Sequence, residues 1–344
     1  MSKPRVAIMG ATGAVGQEML RTLEVRNFPL TTLRLLASEK SAGKKYPYRG
    51  RLLTVETLTP ESFADVDLVL ASAGASISRE FAPYATAAGA VIVDNTSAFR
   101  MEADIPLVVP EVNAHALERH NGIIANPNCS TAQMVVALAP IHKVAGIRRL
   151  VIATYQSVSG TGQKAIDECL KQARELLNGA KSVESKVYPH QIAFNVLPHI
   201  DVFGANGYTK EEMKMVNETR KILEDDSIAI TATTVRVPVL RGHSESVNVE
   251  MVRPIKADRI RELLAEAPGV VVVDDPSQNH YPTPAYCEGR DDTFVGRIRD
   301  DISNPNAVEM WIVSDNLRKG AALNAVQIAE ELLKRDLMRV PAAH

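Results

Sequence analysis

Short apolar runs separated by polar turns, alternating with stretches of helical period, set the plan of this chain. Residues 5–9 are apolar, a glycine-rich turn follows at 10–16, and 17–25 carry a helical pattern, which reads as strand, turn, helix. Residues 32–36, 66–71 and 90–93 are further strand candidates with helix-like or loop segments between them. Such alternation predicts a parallel, doubly wound α/β sheet of the Rossmann-like dinucleotide-binding kind. A short polar turn at 126–132 then feeds an apolar helical run at 134–139. Pro127 disfavours helix at Asn126, while Ser130 or Thr131 can open the helix that follows.

The second half reads less regularly. A strand is expected at 149–154 and a long helix at 163–177, ended by Gly179. Residues 181–206, with Pro189 and Pro198, have little periodicity and read as a connecting or interface segment. Thr209 caps a helix with acids in its first turn. Residues 228–239 and 247–252 read as two strands of a hairpin with His243 in its turn, 270–273 and 307–313 as further strands, and 320–334 as a closing helix.

Composition narrows the function. Of 344 residues 45% are hydrophobic and the formal net charge is −2, which gives no sign of a nucleic-acid partner. No apolar run approaches the roughly 18 residues of a membrane span, and the first apolar run is too short for a signal peptide, so a cytoplasmic enzyme is expected. Cys129, Cys169 and Cys287 are odd in number and contain no Cys-x-x-Cys pair, which indicates neither a disulfide framework nor a zinc site.

Candidate chemistry gathers at a few points. Cys129 would sit at a helix N-terminus, where unpaired N–H groups and the helix dipole stabilise a thiolate; the competing reading is a buried structural thiol. Gly10, Gly13 and Gly16, with Thr12, Ala14 and Val15 between them, would let a backbone approach a pyrophosphate. Ser38, Lys40 and Ser41 follow the second strand, where an NAD enzyme usually carries an acid, so NADP is expected, with Glu39 an awkward neighbour for a 2′-phosphate. Ser72 and Gly74 follow the next strand and stand at the same carboxyl edge. Arg100, just beyond a strand end, is either an anion ligand or a surface residue. Arg236 within an apolar strand calls for an anion, because an unpaired buried charge costs several kcal/mol or more. Glu211 and Lys214 share a helix face and would otherwise be an exposed ion pair beside a capping box.

Taken together, G-A-T-G-A-V-G at 10–16, N-P-N-C-S at 126–130, Y-Q-S-V-S-G at 155–160, E-E-M-K at 211–214, R-V-P-V-L-R-G-H-S-E at 236–245 and the long run opening N-L-R-K-G-A-A at 316–322 resemble the aspartate-β-semialdehyde dehydrogenases over essentially the whole chain. The resemblance implies a cysteine nucleophile at Cys129, an orienting amide at Gln156, an acid/base residue at His243, and ligands for the substrate carboxylate and ammonium at Arg236 and Glu211. It implies phosphate contacts at Arg100, Asn128 and Lys214. NADP(H) would be held by the glycine turn, Ser38, Ser41, Ser159, Gly160 and Asn316. It further implies a dinucleotide-binding domain of residues 1–127 with 316–344 and an α+β substrate and dimerisation domain, with a mixed sheet, of residues 128–315. The expected partners are aspartyl phosphate, aspartate semialdehyde, inorganic phosphate and a second copy of the chain. The nearest alternative is an N-acetyl-γ-glutamyl-phosphate reductase, whose acetylated substrate has no need of Glu211. A non-catalytic NADP-binding redox sensor is an alternative of another class, with no need of Gln156, Arg236 and His243.

Overall fold

A computed structural model describes residues 3–338, and it separates into two compact units. The first runs to Asn128 and resumes at Ala321; the second is Cys129–Gly320. The chain therefore leaves the first unit between Asn128 and Cys129. No helix among the described residues is long and apolar enough to cross a membrane.

The first unit carries β1 (Arg5–Met9), β2 (Thr32–Ala37), β3 (Lys45–Tyr48), β4 (Arg51–Thr57), β5 (Leu68–Ala71), β6 (Val91–Asp94) and β7 (Ile123–Ala125) in the order β3-β4-β2-β1-β5-β6-β7. All neighbours are parallel except β3, which pairs antiparallel with β4 at the edge. Strands β5 and β6 are buried at every position, so they read as continuous apolar runs, as a sheet covered on both faces requires. The β3–β4 pair and β7 are short or charged and had no legible signal. Helices Ala14–Val25 and Leu323–Lys334 pack against each other in one apolar cluster, tied at its rim by Arg26 to Glu330.

The second unit carries β8 (Ile147–Gln156), β9 (Ala229–Arg236), β10 (His243–Met251), β11 (Val270–Val272), β12 (Thr293–Asp300) and β13 (Ala307–Ser314), ordered β11-β12-β13-β10-β8-β9. The sheet is mixed, with β8–β9 and β11–β12 parallel and the other neighbours antiparallel. The expected hairpin is corrected here. β8 lies between β9 and β10, and His243 is the first residue of a strand. Extended β-branched runs on both sides of residues 237–242 resembled a hairpin, but the longer β8 satisfies the ladder bonds of both. Helix Cys129–Ala145 is buried at every position from Ser130 to Leu138, because the sheet lies under it and helices Lys210–Leu223 and Ala257–Ala265 flank it. The closing helix also begins later than expected: Arg318–Ala322 form a π-turn, and the α-helix starts at Leu323.

The turn after β1 is fixed by two glycines. Gly10 has φ +87° and lies so close to Ser72 and Ala73 that a Cβ would stand 2.8 Å from their backbone; at Gly16 a Cβ would stand 2.3 Å from the Gly10 carbonyl oxygen. Neither backbone atom can yield cheaply. Gly16→Ala is expected to cost about 1–3 kcal/mol from overpacking and to weaken dinucleotide binding, measured by thermal melting and by cofactor titration.

Candidate active site

Strands β8 and β9 run parallel, and their last residues, Gln156 and Arg236, are register partners. Because β10 runs antiparallel to β8, its first residue, His243, begins at the same edge. Sheet topology thus delivers an amide, a guanidinium and an imidazole to one rim, all nearly fully buried. The turn leaving β8 runs among them. The Ser157 N–H donates to His243 Nδ1 at 3.1 Å, and the Ser157 carbonyl accepts from Arg236 Nη1 at 2.6 Å. A Cβ on Gly160 would stand 3.0 Å from Arg236 Nη1 and 3.3 Å from His243 Nε2, so glycine lets the turn lie against both.

An Nδ1 that accepts a backbone N–H leaves the proton of the neutral ring on Nε2. That nitrogen is buried and has no partner among the described residues. Burial, and then the Arg236 charge, hold the His243 pKa well below the ordinary histidine value, against a smaller pull from the Gly242 carbonyl. The ring is therefore neutral at physiological pH. Asn316 braces this arrangement: its Oδ1 accepts from Gly242 N at 2.8 Å and from the Ser157 hydroxyl at 3.2 Å, and its amide bonds Ser159 Oγ at 3.0 Å. Ser159 and Asn316, expected at the cofactor, thus hold the His243 turn within this unit.

Arg236 is 4% exposed and its Nε has no partner among the described residues, an arrangement that an anion would complete. Nearby, Glu211 accepts from Gln156 Nε2 at 3.3 Å and from Lys214 Nζ at 3.0 Å, and Lys214 also reaches Asp201 at 2.9 Å. Burial works against the Lys214 charge, but Glu211 and Asp201 outweigh it and raise its pKa. The expected i,i+3 pair is present, but it is withdrawn from solvent. The capping box is also present, between Thr209 and Glu212, and Glu212 Oε1 additionally accepts from Thr234 N at 3.0 Å. One side chain therefore both starts the helix and docks it on β9, two residues before Arg236. Nothing in the sequence pattern shows that second bond.

Cys129 is the first residue of its helix and is half-exposed. Gly320 packs directly on it: a Cβ there would stand 2.7 Å from Cys129 Cβ. Beneath the helix start, Gln133 Nε2 donates to the His243 carbonyl at 3.3 Å, and Glu245 is fully buried. Burial raises the Glu245 pKa well above the ordinary range; Gln133 and Ser130 pull it down only in part, and neither carboxyl oxygen has a hydrogen bond of normal geometry. Burial thus works against ionisation of Glu245. The other two thiols are buried, and burial pushes Cys287 up to about 12.

In the first unit the residues named for a cofactor lie at the carboxyl ends of β1, β2 and β5, where open α/β sheets bind ligands. Gly13 caps helix Ala14–Val25 with no side chain bonded to the first N–H groups, which suits an anion. Thr12 Oγ1 donates to Ser41 Oγ at 3.5 Å, bringing two hydroxyls of neighbouring loops together, while Ser38, Glu39 and Lys40 are exposed. Ser72 Oγ is buried without a partner among the described residues, and Gly74 has φ +98°. This hydroxyl-lined, uncapped cradle fits a dinucleotide. Arg100 is buried, its Nε donating to Asn126 O and its Nη2 to Asn95 O, both at 2.9 Å; Asn128 is buried as well. Asp94 was not singled out from the sequence. It accepts from Ser78 Oγ at 3.0 Å and from Thr96 N and Oγ1 at 2.9 Å, anchoring the Arg100 loop.

Two family models match the chain: a semialdehyde dehydrogenase NAD binding domain at residues 5–120 and a semialdehyde dehydrogenase dimerisation domain at 138–319. An aspartate-semialdehyde dehydrogenase of Legionella pneumophila is 58% identical over 97% of each chain. The crystal structure of aspartate semialdehyde dehydrogenase II complexed with ASA from Vibrio cholerae superposes with a TM-score of 0.94 at 49% identity, covering 97% of this chain and 99% of that one. Aspartate semialdehyde dehydrogenase with NADP from Candida albicans has a TM-score of 0.78 at 26% identity, covering 98% of this chain and all of the other.

Two outcomes follow from the geometry of the second unit. Gly320→Ala is expected to displace Cys129, slowing its alkylation by iodoacetamide severalfold and lowering the melting temperature through overpacking. A carboxyl group whose pKa is raised on folding favours the fold below its unfolded pKa and progressively loses that contribution as pH rises toward the folded value. Glu245→Gln, which keeps the shape and cannot ionise, should therefore flatten the fall in stability from the ordinary glutamate range upward, measured by denaturant unfolding across pH.

Proposed function

The chain belongs to the aspartate-semialdehyde dehydrogenase family, and on that premise we propose that it reduces L-aspartyl-4-phosphate to L-aspartate 4-semialdehyde with release of inorganic phosphate. The observation that carries the reading is the buried Arg236 guanidinium with an unfilled donor, set beside Gln156, Glu211 and His243 on one rim. An amino acid presents the two charges this rim complements: a carboxylate for Arg236, gripped as a fork grips a planar anion, and an ammonium for Glu211.

The Cys129 thiolate attacks the C4 acyl carbon; the C–S bond forms as the bond to the phosphate oxygen breaks and inorganic phosphate leaves. Gln156, already bonded to Glu211, orients the acyl group. Arg100, Asn128 and Lys214 attend the phosphate, separated cations and an amide being better suited to a group that must leave. Gly10, Thr12, Gly13, Ala14, Val15, Gly16, Ser38, Ser41, Ser72 and Gly74 would hold NADPH, which would supply the hydride for reduction of the resulting thioester. Hydride addition leaves an oxyanion on the carbon bonded to Cys129, and its collapse breaks the C–S bond, releasing the aldehyde and the Cys129 thiolate. His243 acts as the acid through its Nε2–H, which hydrogen-bonds that oxygen while it carries charge. The enzyme works as a cytoplasmic homodimer joined through its second unit, in amino-acid biosynthesis toward lysine, threonine and methionine.

The test is NADPH formation from aspartate semialdehyde with and without phosphate. Strict phosphate dependence is expected, and equal rates without phosphate contradict the reading. Under the same assay Cys129→Ala is inactive, while His243→Ala is slowed by about 10²- to 10⁴-fold, the usual worth of acid/base help.

A further inference from the structure

Residues 184–197 contain no helix or strand, yet they are fastened at three places. Glu168, on helix Gln163–Leu177, accepts the backbone N–H groups of Lys186 at 2.6 Å, Val187 at 2.8 Å and Tyr188 at 3.3 Å. One turn further along the helix, Gln172 donates to the Glu184 carbonyl at 2.9 Å and accepts from Ile192 and Ala193 N–H at 2.9 and 3.2 Å. Leu197 then exchanges two backbone hydrogen bonds, of 2.9 and 2.8 Å, with Arg236 itself. Val187 and Tyr188 pack on an apolar cluster of Val158, Ala165, Cys169, Ile192 and Leu197. A segment without secondary structure of its own is held this firmly by a buried carboxylate because charge-assisted bonds to N–H groups are the strong ones.

What the clamp positions is the Tyr188 ring. It lies with its centre 5.9 Å from Arg236 Cζ, within cation–π reach, and its hydroxyl donates to Thr161 Oγ1 at 3.0 Å. Thr161 belongs to the same short turn, Val158–Thr161, whose Gly160 lies against Arg236. Burial raises the Tyr188 pKa, so the phenol remains a donor. We infer that Tyr188 determines specificity by walling the carboxylate-binding space at Arg236, and that Glu168 is the positioning residue that holds it there. The inference rests on the reading of Arg236 as the carboxylate ligand. A wall that excludes water makes an arginine–carboxylate pair count for more, and offers nothing to an aldehyde without the carboxylate.

The experiment compares L-aspartate 4-semialdehyde with 3-aminopropanal, the same aldehyde lacking the carboxylate, in phosphate-dependent NADPH formation. Tyr188→Ala should raise KM for the semialdehyde about tenfold, the loss of one pair's worth of binding, and narrow the preference over 3-aminopropanal, with the loss falling on KM far more than on kcat. Tyr188→Leu, which keeps the apolar packing, shifts KM the same way and carries the test if the alanine variant does not fold. Tyr188→Phe keeps the ring and should stay within about threefold of the parent. Glu168→Gln should move KM in the same direction as Tyr188→Ala. KM and selectivity unchanged in both Tyr188→Ala and Tyr188→Leu, while Arg236→Lys loses selectivity, overturn the role of Tyr188. Arg236→Lys keeping full selectivity overturns the Arg236 reading instead. A Glu168→Gln variant that affects kcat alone removes the positioning role.

Discussion

The Ser157 backbone is the constraint on which the second unit's chemistry depends. Its N–H points at His243 Nδ1 and its carbonyl at Arg236 Nη1, so the two peptide planes that meet at Ser157 Cα set the tautomer of the imidazole and the direction of the guanidinium. Each plane is rigid, so only the Ser157 φ and ψ relate the two orientations. This backbone is in turn held by the ladder that ends β8 beside β9 and by the Asn316 amide, which gathers Gly242, Ser157 and Ser159 around it. Pre-organisation of this kind matters because a group that must first rotate into place adds that cost to the barrier.

The buried ionisable groups around this rim fall into two classes. Buried Glu211 is compensated by Lys214 and buried Asp315 by Arg241, and each keeps its charge because it has a partner. Arg236 Nε and His243 Nε2 are donors without one among the described residues, and Glu245 is a buried carboxyl group whose pKa burial raises well above the ordinary range. Stability alone gives no reason to keep two unfilled donors side by side. Their presence at one rim is the physical signature of a site that is completed by an anionic substrate.

Much of this was legible in the sequence, for identifiable reasons. The glycine turn announced itself because Gly10 and Gly16 have no room for a side chain, and the β–α alternation gave the first sheet. Cys129 at a helix start followed from Pro127 and the hydroxyls behind the cysteine. Arg236 stood out because a guanidinium inside an apolar strand is costly. What stayed hidden were contacts made across the sheet. Strand order is a long-range property, so β8 entering between β9 and β10 removed the expected hairpin and turned His243 from a loop residue into a strand terminus. Glu212, Asp94 and Glu168 look like ordinary surface acids until the backbone N–H groups they accept are in place. Gly320 carried no signal because its neighbour, Cys129, is nearly two hundred residues away in sequence.

The central claim is that Cys129 carries the substrate as a thioester, and the most direct measurement is to trap it. Incubation with aspartate semialdehyde and NADP⁺ in the absence of phosphate, followed by acid quenching and peptide mass mapping, should find an aspartyl adduct on the peptide containing Cys129. Adding phosphate before the quench should discharge it. An adduct on the peptide of Cys169 or Cys287, or no adduct despite a burst of NADPH, would contradict the account.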